Sequence, residues 1–223
     1  MQEKDTMPAK NQVKVQQIRH LSESVYVLRF DRNGLAFEAG QHVILGLAGK
    51  NNGREYSVYS GDQDDYFEVL IKEVQEGDIS RKLRKVQPGD LLEMDGPLGF
   101  FTLDAAKILS TKHIFIATGT GIAPFSSFVK SKPWLDYKIL HGVRFGYEAI
   151  ERGNYDSERF LLCTSGDASG DFQGRVTDYL TANPVDKNAE YYLCGNVKMI
   201  HQAFDILKKR GIRTNQMHAE VYF

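Results

Sequence analysis

In the first hundred residues, apolar and polar positions alternate over short stretches that are separated by turns. Residues 13–18 and 25–30 show this most clearly, and a period of two is typical of strands with one buried face. Four further stretches follow, at 42–47, 55–59, 66–71 and 91–94. Glycines and prolines lie between them. The pattern predicts five or six strands in a closed antiparallel β-barrel of Greek-key type, with one helix at about 79–86.

After about residue 103 the pattern changes to strand, glycine-containing turn and helix. Continuous apolar stretches predict strands buried on both faces, at 113–118, 137–143, 159–165 and 190–195. Helical spacing predicts helices at about 123–129, 176–180 and 197–209. Alternating strands and helices are typical of a parallel sheet with right-handed crossovers. The sequence therefore predicts two domains: the antiparallel barrel over 1–105 and an α/β domain with a parallel sheet over 106–223.

Composition and charge narrow the classes of function. The formal net charge is −1, from 28 basic and 29 acidic residues, so no overall field attracts nucleic acid or a membrane surface. No apolar stretch approaches the roughly 20 residues that span a bilayer, and the polar N-terminus lacks the apolar core of a signal peptide. Cys163 and Cys194 have no metal-ligand spacing. We expect a cytoplasmic monomer with reduced thiols that binds neither nucleic acid nor metal.

Two segments have the residues of a phosphate-binding helix start. Gly119 and Gly121 lie between a predicted buried strand and a helix, where glycine lets the backbone approach a ligand and free N–H groups face it. The third glycine of the dinucleotide fingerprint is missing, so a plain tight turn is the alternative. Gly77-Asp-Ile-Ser80 opens the predicted barrel helix, and there a helix cap is the alternative. One such start in each predicted domain indicates two nucleotides.

The stretch from Arg54 to Ser60 combines a phosphate-binding side chain with a stacking one. Arg54 and Tyr56 fall on one face of the predicted strand, and Ser57 falls on the other. Arginine offers a fork of donors to phosphate, and tyrosine offers a flat surface to an aromatic ring. A barrel strand with aromatic core residues is the alternative interpretation.

Seven short motifs follow one another along the chain: R-x-Y-S (54–57), G-x-x-S (77–80), G-P-L-G (96–99), G-T-G-I-A-P (119–124), G-R-V-T-D (174–178), C-G-N-x-x-M-I (194–200) and A-E-V-Y-F (219–223). In this order, with the change of predicted domain between them, they resemble the ferredoxin–NADP (flavodoxin) reductase family from about residue 11 to the last residue. The asparagine in the cysteine motif and the penultimate tyrosine are more similar to the bacterial members than to the plastid ones.

The resemblance implies an FAD-dependent oxidoreductase. Such an enzyme transfers a hydride between NAD(P)H and the flavin, and single electrons between the flavin and a ferredoxin or flavodoxin. Ser57, Cys194, Glu220 and Tyr222 match the family's set around the hydride-transfer point. From the residues alone, Cys194 is as readily a small core residue, and Glu220 a surface charge.

The resemblance also implies which residues hold each nucleotide. Tyr56 would pack on one face of the flavin and Tyr222 would cover the other, while Arg54 and the helix start at Ser80 would bind the diphosphate. The set implied for FAD is Arg54, Tyr56, Ser57, Leu70, Ile71, Lys72, Gly77, Ile79, Ser80, Tyr222 and Phe223. The set implied for the nicotinamide nucleotide is Gly119, Thr120, Gly121, Arg144 and Arg175.

Other classes of function stay open at this point. A protein of this fold could reduce free flavin or ferric chelates, or could serve as the electron-transfer subunit of a larger complex. The sequence lacks the C-x₄-C-x₂-C spacing of a plant-type iron–sulfur cluster, so electrons would pass to another molecule. The basic run 81–85 is either a solvated helix face or a guide for an acidic carrier.

Nucleotide choice rests on a departure from the family. Gly166-Asp167 stands where NADP-specific bacterial members carry an arginine, and a carboxylate there would repel a 2′-phosphate or bind a bare ribose diol. Arg144 and Arg175 match positions that supply cationic contacts. We therefore expect a modest preference for NADPH with appreciable use of NADH.

Overall fold

The first half of the chain forms an antiparallel sheet of six strands. The computed structural model describes residues 12–50, 52–74 and 78–222. The strands are β1 Gln12–His20, β2 Val25–Asp31, β3 His42–Leu47, β4 Arg54–Ser57, β5 Tyr66–Lys72 and β6 Leu91–Leu98. They pair in the order β4-β3-β6-β1-β2-β5. Helix α1, Asp78–Leu83, lies between β5 and β6 in the chain and is shorter than the predicted helix.

This sheet closes on itself just beyond the end of β4. Val58 forms an antiparallel bridge with Val69 of β5, and the Tyr59 N–H donates to the Glu68 carbonyl at 2.7 Å. Inward-facing residues such as Val13, Phe30 and Val43 fill the interior, as the two-residue period requires. The predicted antiparallel barrel is thereby confirmed.

The second half forms a parallel sheet of six strands. These are β7 His113–Thr118, β8 Tyr137–Val143, β9 Phe160–Thr164, β10 Phe172–Gln173, β11 Glu190–Asn196 and β12 Met217–Tyr222, in the order β10-β9-β8-β7-β11-β12. The helices are α2 Ala123–Ser131, α3 Val176–Ala182 and α4 Val197–Lys209. The predicted α/β architecture is confirmed, although the two edge strands, β10 and β12, were not predicted as strands.

The chain passes from one sheet to the other between Leu98 and His113. The predicted division between residues 105 and 106 lies in this segment and stays a prediction. Within the described residues, every helix is too short or too polar to cross a membrane.

A shared apolar cluster, which we call the junction, joins the two sheets. Tyr59 and Leu70 of the barrel half pack in it with Phe115 and Phe125 of the second half. The rings of Phe115 and Phe125 are stacked, with centroids 4.8 Å apart and planes inclined by 8°. Because the same buried cluster belongs to both halves, any site at their boundary is held by both sheets.

The junction yields a stability prediction. Phe115 is fully buried, whereas Phe100 is fully exposed. Phe115→Ala should lower the free energy of unfolding by about 3–5 kcal/mol, while Phe100→Ala should change it by less than about 0.5 kcal/mol. Guanidinium denaturation followed by circular dichroism measures both. Similar losses in the two variants would contradict the burial described here.

Candidate functional site

Four of the predicted site residues meet where β4, β11 and β12 come together. The Tyr222 hydroxyl donates to Ser57 Oγ at 2.7 Å, and Ser57 donates to Glu220 Oε2, also at 2.7 Å. Cys194 Sγ lies 3.9 Å from the same carboxylate oxygen, because Cys194 and Glu220 are paired residues of adjacent strands. We call these four residues the Ser57 cluster. Ser57 comes from the barrel and the other three come from the parallel sheet, so the cluster spans the junction.

Burial determines the protonation of the Ser57 cluster. It raises the pKa of the Cys194 thiol well above its ordinary value, and the neighbouring Glu220 carboxylate adds to this rise. It likewise raises the pKa of the Tyr222 phenol. The pKa of Glu220 is also raised by burial, although the hydrogen bond from Ser57 opposes the rise. The cluster is therefore a chain of protonated donors that ends on a carboxyl with increased proton affinity.

The other predicted residues of β4 differ in exposure. The Arg54 side chain is exposed at the start of the strand. Tyr56 is half-buried and packs against the barrel core, and burial raises its pKa to about 12. Its ring is thus a neutral aromatic surface at neutral pH, suited to stacking.

The predicted residues of β5 offer mainly their backbone to a ligand. Leu70 is buried in the junction and Ile71 in the barrel core. Lys72 is exposed at the end of the strand. A cofactor that lies along this strand would consequently meet main-chain groups rather than these two apolar side chains.

The predicted diphosphate site at α1 is described in part. Ile79 and Ser80 are buried in the first turn, and Ser80 Oγ accepts a hydrogen bond from the Val74 N–H at 3.2 Å. A hydroxyl that accepts one bond still has its own proton to donate, as a phosphate ligand requires. Gly77 and Phe223 lie outside the described residues.

A cleft of about 610 Å³ opens at the carboxyl ends of the parallel strands. Its lining includes Thr118, Gly119, Thr120, Arg144, Ser165, Arg175 and Asn196 of the second half, and Lys72 of the barrel. This edge is where open α/β sheets bind their ligands. Gly121, also predicted to bind the nucleotide, is instead buried and does not line the cleft: a Cβ there would lie 2.3 Å from the Cys194 carbonyl oxygen.

The turn at Gly119 is supported by residues that the sequence interpretation left without a role. His141 Nε2 lies 2.9 Å from the Gly119 carbonyl oxygen, and burial lowers the pKa of His141 to about 4. The ring is therefore neutral and donates its Nε2 proton. Thr118 Oγ1 accepts from the Asn196 N–H at 3.0 Å and so ties the turn to β11. A histidine inside the apolar stretch 137–143 was the only sequence signal for this support.

Both predicted arginines line the cleft, but Asp167 does not. Arg144 and Arg175 are exposed. The Asp167 carboxylate accepts bonds from the Ser169 hydroxyl at 2.8 Å and from the Gly146 N–H at 3.1 Å, and these bonds lower its pKa. This carboxylate is already engaged in holding two loops together, so its predicted contact with a ribose would require those bonds to be given up.

Comparison with known proteins agrees with this arrangement. Residues 12–103 match the oxidoreductase FAD-binding domain family. The chain is 27% identical to a ferredoxin–NADP reductase of Azotobacter vinelandii, over 94% of this chain and 93% of that one. It is 26% identical to the toluate 1,2-dioxygenase electron transfer component of Pseudomonas putida, over 97% and 69%. The crystal structure of a ferredoxin NADP+ reductase from Neisseria gonorrhoeae with bound FAD and NADP superposes with a TM-score of 0.85 at 25% identity, over 97% and 100%.

The raised pKa of Glu220 predicts how stability depends on pH. Folding raises this pKa above the ordinary 4.5, so the native state holds the proton more tightly than the unfolded chain does. The carboxyl's contribution to stability is then lost as pH rises from 4.5 through the folded value. Glu220→Gln has no proton to lose and can still accept from Ser57. We expect its free energy of unfolding, relative to wild type, to increase from pH 4.5 to neutrality.

Urea denaturation at a series of pH values measures this difference. Glu158→Gln, at an exposed carboxyl, is the control for the chemical change itself. A difference between Glu220→Gln and wild type that stays constant over this range would show that burial does not disfavour the Glu220 charge.

Proposed function

Because this chain belongs to the ferredoxin–NADP reductase family, we propose that it is an FAD-dependent reductase that takes a hydride from NAD(P)H and delivers single electrons to a ferredoxin or flavodoxin. The observation that carries this proposal is the Ser57 cluster beside the cleft. Asn196 lines the cleft, follows Cys194 by two residues and pairs with Tyr222 of β12. A nucleotide in the cleft would thus lie next to the two strands that carry three of the four cluster residues.

The residues of the barrel fit the flavin nucleotide. Tyr56 offers a neutral ring, Arg54 an exposed cation, and Ser80 a hydroxyl that is bonded to the Val74 N–H just after β5. We propose that residues 1–105 hold FAD, and the family match over 12–103 supports this division. When bound, the isoalloxazine accepts a hydride and releases electrons singly.

The protein's own groups would orient and protect this chemistry. Ser57 holds its proton toward Glu220, and Tyr222 holds its proton toward Ser57, so both hydroxyls have fixed directions. Cys194 stays a protonated, buried thiol. We propose that Tyr222 covers one flavin face and excludes water until nicotinamide takes its place.

The nicotinamide nucleotide would occupy the cleft, with residues 106–223 as its domain. Gly119 and Thr120 present backbone at the start of a helix, a position that favours phosphate. Arg144 and Arg175 stand in the same cleft as cations for further phosphate groups. Gly121 would act indirectly, because the absence of a side chain there lets the turn pack on β11.

A second candidate is the electron-transfer component of a larger enzyme system. The similarity to the toluate dioxygenase component, which spans 97% of this chain but only 69% of that protein, favours it. Both candidates share the flavin chemistry and differ in the molecule that accepts the electrons.

The identity of the electron carrier, the monomeric state, and the alternative of free flavin or ferric chelates as substrates stay predictions.

The first functional prediction concerns the cofactor. The purified protein should be yellow and should release FAD on denaturation, because two separate elements, Arg54 and the first turn of α1, are available to a diphosphate. Tyr56→Ala should weaken FAD binding by about 1 kcal/mol beyond the loss of contact area, which alone is roughly a fivefold rise in Kd. Tyr56→Phe, which keeps the ring, should bind like wild type. Chromatography that identifies the cofactor as FMN would contradict the proposal.

The second functional prediction concerns the 2′-phosphate. A charge-assisted contact is worth roughly 1.5–3 kcal/mol, so Arg175→Ala should lower kcat/KM for NADPH about tenfold or more and change that for NADH little. Lys208→Ala removes the same charge from an exposed position outside the cleft and is the control. Steady-state oxidation with ferricyanide as acceptor measures both nucleotides. An equal loss with NADPH and NADH would mean that Arg175 does not read the 2′-phosphate.

A further inference from the structure

The loop after β8, residues 144–151, connects the cleft with the barrel. Arg144, Tyr147 and Ile150 of this loop line the cleft. Glu148 Oε2 accepts bonds from the N–H groups of Arg144 and Phe145, both at 2.9 Å. The loop is therefore tied together internally. Its Gly146 N–H donates to Asp167, and its Ile150 is buried in the junction. Its last residue adds a polar contact with the barrel half.

That last residue, Glu151, binds two side chains of the barrel half. Its Oε1 accepts from Arg19 Nη1 of β1 at 2.5 Å, and its Oε2 accepts from the Tyr59 hydroxyl at 2.6 Å. Tyr59 follows Ser57 by two residues and is fully buried in the junction. One carboxylate thus joins the wall of the cleft to β1 and to the segment just after the strand that carries Ser57.

The backbone of Glu151 is held in a conformation that its residue type disfavours. Its φ is +42°, and among the described residues other than glycine only Asn33 shares a positive φ. Asparagine tolerates this region, whereas glutamate adopts it at a cost in free energy. Such a conformation persists where surrounding contacts determine it, and here those contacts are the bonds to Arg19 and Tyr59.

The charge of Glu151 is maintained in this partly buried setting. Burial opposes ionisation, but the hydrogen bonds from Arg19 and Tyr59 outweigh it and lower the pKa of Glu151 below its ordinary value. Arg19 Nη2 also lies 3.5 Å from Glu68 Oε1 on β5. The guanidinium is therefore fixed between a barrel carboxylate and the loop carboxylate.

We propose that Glu151 is a positioning residue that fixes the cleft loop to the barrel and so sets the placement of the bound nicotinamide nucleotide relative to the Ser57 cluster. This inference rests on the proposed function. Hydride transfer requires the reacting atoms to be about 3–3.5 Å apart, and displacement by about 1 Å can cost up to a hundredfold in rate. Glu151 acts on this distance because it anchors the loop that lines the cleft.

The structure provides a matched control in the pair Asp62–Lys132. Its atoms are 2.8 Å apart, and the exposed side-chain fractions are 15% for Asp62 and 32% for Lys132, against 17% for Glu151 and 31% for Arg19. This pair also joins the barrel half to the second half, at the end of α2. Neither of its members lines the cleft. Loss of either ion pair should lower the stability of the contact between the two halves to a similar extent. Only the Glu151–Arg19 pair holds the cleft loop.

The test compares four variants of the flavin-loaded protein. Glu151→Gln is matched with Asp62→Asn, and Arg19→Met is matched with Lys132→Met. Anaerobic stopped-flow absorbance gives the rate constant of flavin reduction at saturating NADPH. Hydrogen–deuterium exchange of residues 144–151 measures how readily the backbone of the loop opens, and it needs neither nucleotide nor turnover.

In Glu151→Gln and Arg19→Met, we expect NADPH to reduce the flavin roughly tenfold more slowly than in wild type. We also expect the amide hydrogens of residues 144–151 to exchange faster. The two control variants should match wild type in both measurements, while all four show similar thermal midpoints. Equal rates and equal loop exchange in the two sets would overturn the positioning role. If Glu151→Gln or Arg19→Met does not fold, Tyr59→Phe, which removes only one hydroxyl, decides by the same two readouts. A wild-type flavin that neither NADPH nor NADH reduces would instead overturn the proposed function.

Discussion

Burial of aromatic and aliphatic side chains at the junction holds two sheets of opposite design against each other. Side chains of the barrel strands alternate between its core and its surface, so Tyr59 and Leu70 present an apolar surface outside the barrel core. Phe115 and helix α2 of the second half cover this surface. The Ser57 hydrogen bonds to β12 exist only because this contact is made. Neither half contains the Ser57 cluster or the complete cleft by itself, so the chemistry depends on the packing of one half on the other.

Neutral and charged groups are separated within the site: the Ser57 cluster is buried, and the arginines of the cleft are exposed. At the Ser57 cluster, burial favours neutral phenol and thiol groups and raises the proton affinity of Glu220. The supporting His141 is kept neutral as well. The cations of the cleft, Arg144 and Arg175, are exposed instead. Under the proposed function, neutral donors would lie near the point where the nicotinamide ring reacts, and full charges would lie where its phosphates are bound and solvated.

Much of the fold follows from periodicity, and the exceptions have physical reasons. The predicted bounds of β3, β7, β8 and α4 coincide with the observed ones, because these elements carry long, clean apolar patterns. Strand β10 has only two residues, too few for any pattern. Strand β12 lies at a sheet edge and buries only Met217, so its pairing with β11, rather than an apolar stretch, holds it as a strand.

Some site residues could be predicted from local motifs, and others could not. Short motifs identified Ser57, Cys194, Glu220 and Tyr222, which lie far apart in the chain, and the structure brings them together. Glu151 belongs to no motif, since its partners Arg19 and Tyr59 come from distant strands. No local pattern encodes such a contact.

Asp167 shows why a side chain's position in the sequence is a weaker guide than its hydrogen-bond partners. By position after β9 it would read the ribose of a nucleotide, yet three donors from Ser169 and Gly146 already occupy its carboxylate. To release it, a ligand would have to replace bonds that shape the loop beside Arg144, and the backbone would lose support on the cleft side. A rigid loop carries less entropy cost when a nucleotide binds. Under the proposed function, discrimination between a phosphate and a hydroxyl at this end of the cleft would fall to the exposed guanidinium groups of Arg144 and Arg175. Asp167, like Glu151, would act by keeping the loop of Arg144 in place.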